Sequence, residues 1–407
     1  MYDIQSNTAG NSGADRPVGD TQRLCFLKII RQAVSSTLIA ICVMGCTDDT
    51  PQPNGDFAAV PAGPVYVGPD QDLQKGLDDA AAASEDRRLI LRPGTYQTST
   101  TRFCLLAITA IHDGVTVEGQ EGAILSARSP DTPDAASVSH VVYCGDGVSS
   151  KTRIRNLTIT GAKGLATNGG VPLEDFEKRT PFLKRGLFYY MDGGALKIFG
   201  QSSPVFEKID FVDNVTQLCG GAVSIEQQGF QDIPPVFTDC RFMRNRCPAT
   251  GSAVDVLQGS SVKMQNCLFV DNVGNYGMSE VLQKYNLSYN ETHGSGALTV
   301  FPGSRAQIDR CTFLGNWNAV DDRGVASEYS NTIFASNDAS DGSRPGHPYE
   351  IDIVNADGVD RCFFHSKNPD LKGNVSRKKN VFDAGAPMFD ETYVPANAGY
   401  ADVGFRQ

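Results

Sequence analysis

From about residue 190 to residue 365, apolar and polar residues alternate in short bursts cut by Gly, Asn, Asp or Pro. Such period-2 bursts predict short β-strands joined by turns. The bursts repeat. One pattern reads Gly-x-Ala-(Leu/Val)-x-(Ile/Val), at Gly193 to Ile198, Gly220 to Ile225 and Gly251 to Val256. A fourth copy, Ser295 to Val300, exchanges Ser and Gly. A second pattern, Phe-x-x-Asn, recurs at Phe211/Asn214, Phe242/Asn245, Phe269/Asn272, Phe313/Asn316 and Phe334/Asn337. Cys240, Cys267, Cys311 and Cys362 each stand two residues before a Phe. The step from Ala to Phe is 16 residues in three copies and 20 in the copy holding Ala222.

No copy contains a helix-length amphipathic stretch. A short strand cannot bury its edges alone, so successive coils must stack. Parallel stacking places equivalent residues about 4.8 Å apart and turns like residues into ladders. The expected fold is all-β: a single-stranded right-handed parallel β-helix spanning residues 65–400, of roughly ten coils. A β-propeller would need a longer unit, of about 40–45 residues. Leu89 to Leu91, Val115 to Val117 and Leu157 to Ile159 read as earlier strands. Leu73, Leu77, Ala80 and Ala81 are spaced for a short amphipathic helix that caps the first coil.

Composition narrows the function. The chain has 407 residues, 36 Lys plus Arg against 47 Asp plus Glu, and a net charge of −11. That balance argues against a nucleic-acid partner, which needs a basic stripe to displace counterions. At 40% hydrophobic residues it is too apolar for wholesale disorder. Its 11 Cys over this length are too sparse for a small disulfide framework.

The N-terminus reads as an address. Residues 33–45 are an apolar run of 13, preceded by Lys28 and Arg31, and too short to span a bilayer. The run ends in Val43-Met44-Gly45-Cys46, which resembles the bacterial lipoprotein lipobox and implies lipidation of Cys46. Thr47 in place of Asp favours the outer membrane. Since no Met lies between Met1 and Met44, residues 1–23 are read as an upstream extension, with initiation near Leu24. Residues 46–64, rich in Pro, form a tether.

Val65 to Val67, the capping helix and Arg92-Pro93-Gly94-Thr95-Tyr96 together resemble the opening of pectate-lyase-like β-helix proteins. The Gly-Gly-Ala-(Leu/Val) and Phe-x-x-Asn repeats resemble the passenger repeats of polymorphic outer-membrane proteins. Ala386-Pro387-Met388-Phe389 resembles the closing turn of secreted bacterial β-helix proteins. The resemblance implies the fold. It carries over no catalytic residue, because the lyase motifs are missing, and nothing after residue 300 reads as a translocator barrel.

The Asn and Phe ladders are expected to be structural, and the four repeat-position Cys to form a buried apolar column rather than a zinc site. Cys219 and Cys247 lie one coil apart in turns and are expected to pair as a disulfide; Cys104 and Cys144 form a second candidate pair. If Leu196 and Ile198 face the core, then Lys197, Ser224, Asp255 and Thr299 face outward. Phe199, Glu226, Leu257 and Phe301 form the next outward set. Insertions near residues 163–192 and 273–294 bring Tyr189, Tyr190, Tyr276, Tyr285 and Tyr289 beside these strands. A further segment holds Trp317, Asp321, Asp322 and Arg323. The expectation is an open cleft with Lys197, Glu226, Asp255, Asp321 and Asp322 as catalytic candidates. Tyr189, Tyr190, Phe199, Phe301, Trp317 and Arg323 would contact substrate.

Aromatics beside carboxylates and Lys suit sugar rings, so the expected partner is a polysaccharide or cell-surface glycan, and the membrane through the lipid anchor. Paired carboxylates would serve hydrolysis, and a Lys or Arg base would serve β-elimination. A non-catalytic adhesion module and a structural envelope spacer stay open as alternatives. The five His show no metal spacing. Asp-rich turns can hold Ca²⁺, but no 12-residue Ca²⁺-loop pattern is present.

Overall fold

The computed structural model describes residues 62–168, 171–172, 185–277, 280, 283–284, 295–338, 349–366, 375–382 and 384–407. Cys46, the apolar run before it, most of the tether, Tyr285, Tyr289, His293 and His347 lie outside these residues.

Strand pairing is parallel from coil to coil, as the repeats demand. An eight-stranded front sheet stacks Arg102–Ile108, Val138–Gly145, Leu196–Phe199, Val223–Glu226, Val254–Val256, Leu298–Val300, Val320–Asp322 and Ile351–Ile353 in that order. A 17-stranded sheet supplies two more columns, joined where Arg153–Thr160 and Val205–Val212 run through the corner between them. One column runs from Val65–Val67 to Val359–Asp360, the other from Gly94–Tyr96 to Phe363–His365. The three columns enclose a continuous apolar core. The chain is thus an all-β parallel β-helix.

The expected cap is present. Helix α1, Leu73–Ala82, starts at Asp72, whose carboxylate accepts from the Lys75 N–H at 3.0 Å. It buries Leu73, Gly76, Leu77 and Ala80 against the first coils. Gly76 has no room for a side chain: an added Cβ would sit 2.4 Å from a Val67 methyl.

The corners explain the ladders. Between the two columns of the long sheet, Lys208, Asp239, Asn266, Arg310, Asn331 and Arg361 adopt left-handed backbone with φ of 49–55°. Asn and Asp tolerate that conformation best, and the sharp bend it makes sends the chain into the next strand. A second left-handed residue, at Asp213, Arg244, Asp271, Gly315 or Ser336, precedes each ladder Asn. That bend turns the Asn carboxamide inward. Asn245 donates through Nδ2 to Phe211 O at 2.9 Å and to Asn272 Oδ1 at 3.0 Å, while its Oδ1 accepts two N–H groups of Asn214 at 3.1 Å. Asn272, Asn316 and Asn337 repeat the scheme. The column ends at Glu350, whose Oε1 accepts from Asn337 N at 3.3 Å and whose Oε2 accepts from Asn337 Nδ2 at 2.5 Å.

Inside this ladder the Phe rings stack face to face. Phe211, Phe242, Phe269, Phe313, Phe334, Phe364 and Phe382 follow one another at 4.3–5.3 Å between centroids, tilted by 7–12°. Cys240, Cys267, Cys311 and Cys362 form the expected buried column. After the last strand the chain doubles back. Gly404 N donates to Asn331 O at 2.8 Å, Phe405 N to Thr312 Oγ1 at 2.9 Å and Arg406 N to Asn266 Oδ1 at 2.7 Å. The segment therefore retraces several coils along one corner.

Asn245→Ala strands the Asn214 N–H and the Phe211 carbonyl inside the corner. It is expected to cost about 3 kcal/mol, read as a lower thermal midpoint and faster proteolysis. Burial pushes the Glu350 carboxyl up to about 7 from 4.5. The native state therefore holds this proton where the unfolded chain has lost it. The stability it contributes is complete below about pH 4.5 and is lost as pH rises through about 7, by on the order of 3 kcal/mol. Glu350→Gln is expected to flatten that stretch of a midpoint-against-pH curve.

Candidate functional site

The front sheet keeps the expected register. Lys197 pairs with Ser224, Ser224 with Asp255, Asp255 with Thr299, Thr299 with Asp321 and Asp321 with Asp352. These residues form one outward row. Val320–Asp322 belongs to the same sheet, with Ala319 at the repeat Ala position. Asn318 stands where other copies carry Gly or Ser, so the copy escapes a search for that residue. Register also separates the two acids. Asp321 faces outward with the row, whereas Asp322 pairs with Val300 and Ile353 and points into the core. There the Tyr329 hydroxyl and the Gly324 N–H both donate to Asp322, each at 2.7 Å, and burial raises its carboxyl to about 6.

The row does not floor an open cleft. Lys197, Asp255, Asp321 and Asp322 are fully buried and Glu226 is 3% exposed. The expected rim is also internal: Tyr189, Tyr190, Phe199 and Trp317 are all buried. Phe301 is half-buried, and the Arg323 side chain is 21% exposed. Over Tyr189, Tyr190 and Phe199 the reason is a second apolar cluster outside the β-helix, while Asp321 is covered by Tyr349 and Arg323. Helix α2, Leu187–Met191, lies over the front sheet and packs with Tyr143, Ala166, Phe199, Leu218, Cys219 and Ala249. His140, which the scattered His pattern did not single out, holds this helix down. Its ring nitrogens face Gly193 O at 2.8 Å and Tyr189 O at 3.2 Å, and burial pushes its pKa down to about 4. Phe103 stacks on Tyr189 at 5.0 Å, and the Arg185 guanidinium lies 4.8 Å from the Phe199 ring centre.

The charges under this cover are paired locally. Lys197 Nζ lies 2.8 Å from Glu226 Oε2 and donates to Ser224 Oγ at 3.0 Å and Phe188 O at 3.1 Å. Asp321 meets Arg323 Nε at 3.0 Å and accepts from the Tyr349 hydroxyl at 3.0 Å, and Arg323 continues to Asp352 at 2.8 Å. Asp192 Oδ1 accepts from Cys219 N at 2.9 Å. Cys219 and Cys247 are free thiols, as are Cys104 and Cys144, so neither expected disulfide forms. Cys219 faces acids instead: its hydrogen bond comes from Thr250 Oγ1 at 3.2 Å, while the Cys247 thiol donates to the Thr250 carbonyl at 3.1 Å.

An accessible concavity lies elsewhere among the described residues. A groove of about 720 Å³ follows the left-handed corner and is lined by Lys208, Asp210, Asp239, Arg241, Arg310 and Arg406, with Thr238, Gln265 and Asn266 between them. Arg241 clasps Asp210 through Nε at 2.6 Å and Nη2 at 2.5 Å. The returning C-terminal segment forms one wall, fixed by Asn266 Nδ2 to Arg406 O at 2.6 Å. No sequence signal marked this site, because its wall is built from segments 140 residues apart.

A family model agrees with this architecture over part of the chain. Residues 137–292 match the family model of the right-handed β-helix region. No curated protein matches the sequence. Among solved structures, a pectin methylesterase from carrot is similar at 11% identity, over 78% of this chain and 85% of that chain, with a TM-score of 0.31. The chain is a right-handed parallel β-helix repeat protein. So loose a superposition carries no chemistry across.

Lys197→Met removes the cation from a buried pair and is expected to cost about 3–5 kcal/mol of stability. Lys197→Met combined with Glu226→Leu should regain most of that loss, because no charge is then left unpaired. Denaturant midpoints of the two single variants and the double variant measure the coupling.

Proposed function

We propose that this chain is an exported, lipid-anchored β-helix protein that binds polysaccharide without cleaving it. The observation that carries the binding reading is the corner groove. It is long, open and rigidly backed by stacked coils. Its lining of ion-paired Arg, Asp, Asn, Gln and Thr offers the donors and acceptors that sugar hydroxyls use. Four cations against two carboxylates favour a glycan that carries acidic groups. The burial of Lys197, Glu226 and Asp255 supports a non-catalytic role, since a polymer cannot reach them. The lipobox-like Cys46 supports a lipid anchor in the outer membrane of the cell envelope, with residues 46–64 as the tether.

Affinity electrophoresis of the mature protein through gels holding acidic or neutral polysaccharides tests this reading. Acidic polysaccharide is expected to retard the protein without being shortened. Lys208→Asn with Arg310→Asn should weaken that retardation at least fivefold while preserving the corner, because Asn accepts left-handed backbone. Retardation by no polysaccharide, or retardation unchanged in the double variant, sinks the proposal.

A further inference from the structure

Asp192, Cys219 and Asp255 come from three successive coils and meet beneath the covered face of the front sheet. Asp192 ends helix α2, Cys219 lies in the turn before Val223–Glu226, and Asp255 is the central residue of Val254–Val256. One ligand atom from each residue lies within 4.8 Å of the other two. All three residues are buried, with Asp192 and Asp255 fully so. Among the described residues, no other group of three His, Cys, Asp or Glu side chains converges in this way.

The hydrogen bonds leave this cluster incomplete. Asp192 Oδ2 and both carboxylate oxygens of Asp255 are buried without a hydrogen-bond partner. The neighbouring Thr250 hydroxyl donates to the Cys219 sulfur at 3.2 Å and also lies against the Asp255 carboxylate, so one hydroxyl serves two acceptors. A buried carboxylate with no donor of its own, as at Asp255, is costly, and a second one satisfied at a single oxygen beside a thiol adds to that cost. The nearby cation, Lys197, is already held by Glu226. Residues that can each carry a negative charge therefore face one another with their own counter-charge missing.

We propose that Asp192, Cys219 and Asp255 bind a single divalent transition-metal ion of the zinc class. A thiolate with two carboxylates is a borderline-soft donor set, which selects Zn²⁺ over Ca²⁺ or Mg²⁺. Three protein ligands with a bound water complete a tetrahedral shell. The Cys219 proton and any carboxyl proton leave to solvent as the metal enters. The ion would be structural: it would tie helix α2 to two coils of the front sheet beneath the second apolar cluster. This also accounts for Cys219 staying unpaired with Cys247.

Purified protein, stripped with a chelator and titrated with Zn²⁺ alone, tests the site. One equivalent of Zn²⁺ should bind and raise the thermal midpoint. Co²⁺ in its place should give a thiolate-to-cobalt charge-transfer absorption. That absorption should vanish in Cys219→Ser and persist in Cys104→Ser, whose thiol lies outside the cluster. Asp192→Asn and Asp255→Asn keep the side-chain shape and should weaken Zn²⁺ binding at least tenfold, so the test does not depend on Cys219→Ser folding. Failure to bind Zn²⁺ and Co²⁺ near neutral pH, or a cobalt band that survives Cys219→Ser, overturns the proposal. The cluster is then a set of protonated buried groups, and Asp255→Asn raises the midpoint equally with and without Zn²⁺.

Discussion

Each coil must return to the same place about 4.8 Å further along, and the Asn carboxamide at one corner enforces this. Its Nδ2 reaches back to the Phe carbonyl of the preceding coil, while its Oδ1 accepts from the preceding Asn. A slip of one residue would strand both groups inside an apolar core. The Phe stack inside the same turn adds a second restraint, because parallel rings gain contact only at the strand spacing. Insertions of different length can therefore enter between coils without moving the register. The step of 44 residues between Ala253 and Ala297 leaves Val254 paired with Leu298 as cleanly as the 31-residue step leaves Val223 paired with Val254.

That fixed register creates the outward row of Lys197, Ser224, Asp255, Thr299 and Asp321. What covers the row decides its character. The sheet face carries Tyr143 and Phe199 beside Lys197, and apolar side chains of α2 gain more by burying against them than by standing in water. Once α2 lies down, Lys197 is enclosed beneath it, with its ammonium on the Phe188 carbonyl. Buried charges are tolerated where an internal partner exists, as Lys197 and Glu226 show, whereas Asp255 and one oxygen of Asp192 remain unsatisfied.

The open surface moves to the opposite problem: a corner with many charges and little cover. The returning segment from Gly404 to Arg406 builds one wall there, and side chains one coil apart repeat along it at regular spacing. A repeating groove has the form that a repeating ligand would fit, which is why the proposed function rests on the corner and not on any single residue.

Much of this was written in the chain. The Phe-x-x-Asn and Gly-x-Ala repeats determined the strands, the parallel stacking, the outward row and the Cys column, because each depends only on residues of equal rank in neighbouring coils. The capping helix was legible from the spacing of Leu73, Leu77 and Ala80. Tertiary structure alone decided which outward residues meet water. It buried Tyr189, Tyr190 and Trp317, sent Asp322 inward, kept Cys219 from Cys247 and brought Arg406 beside Asn266. Those outcomes depend on how non-repeating segments fold back on the solenoid, and periodicity carries no information about segments that do not repeat.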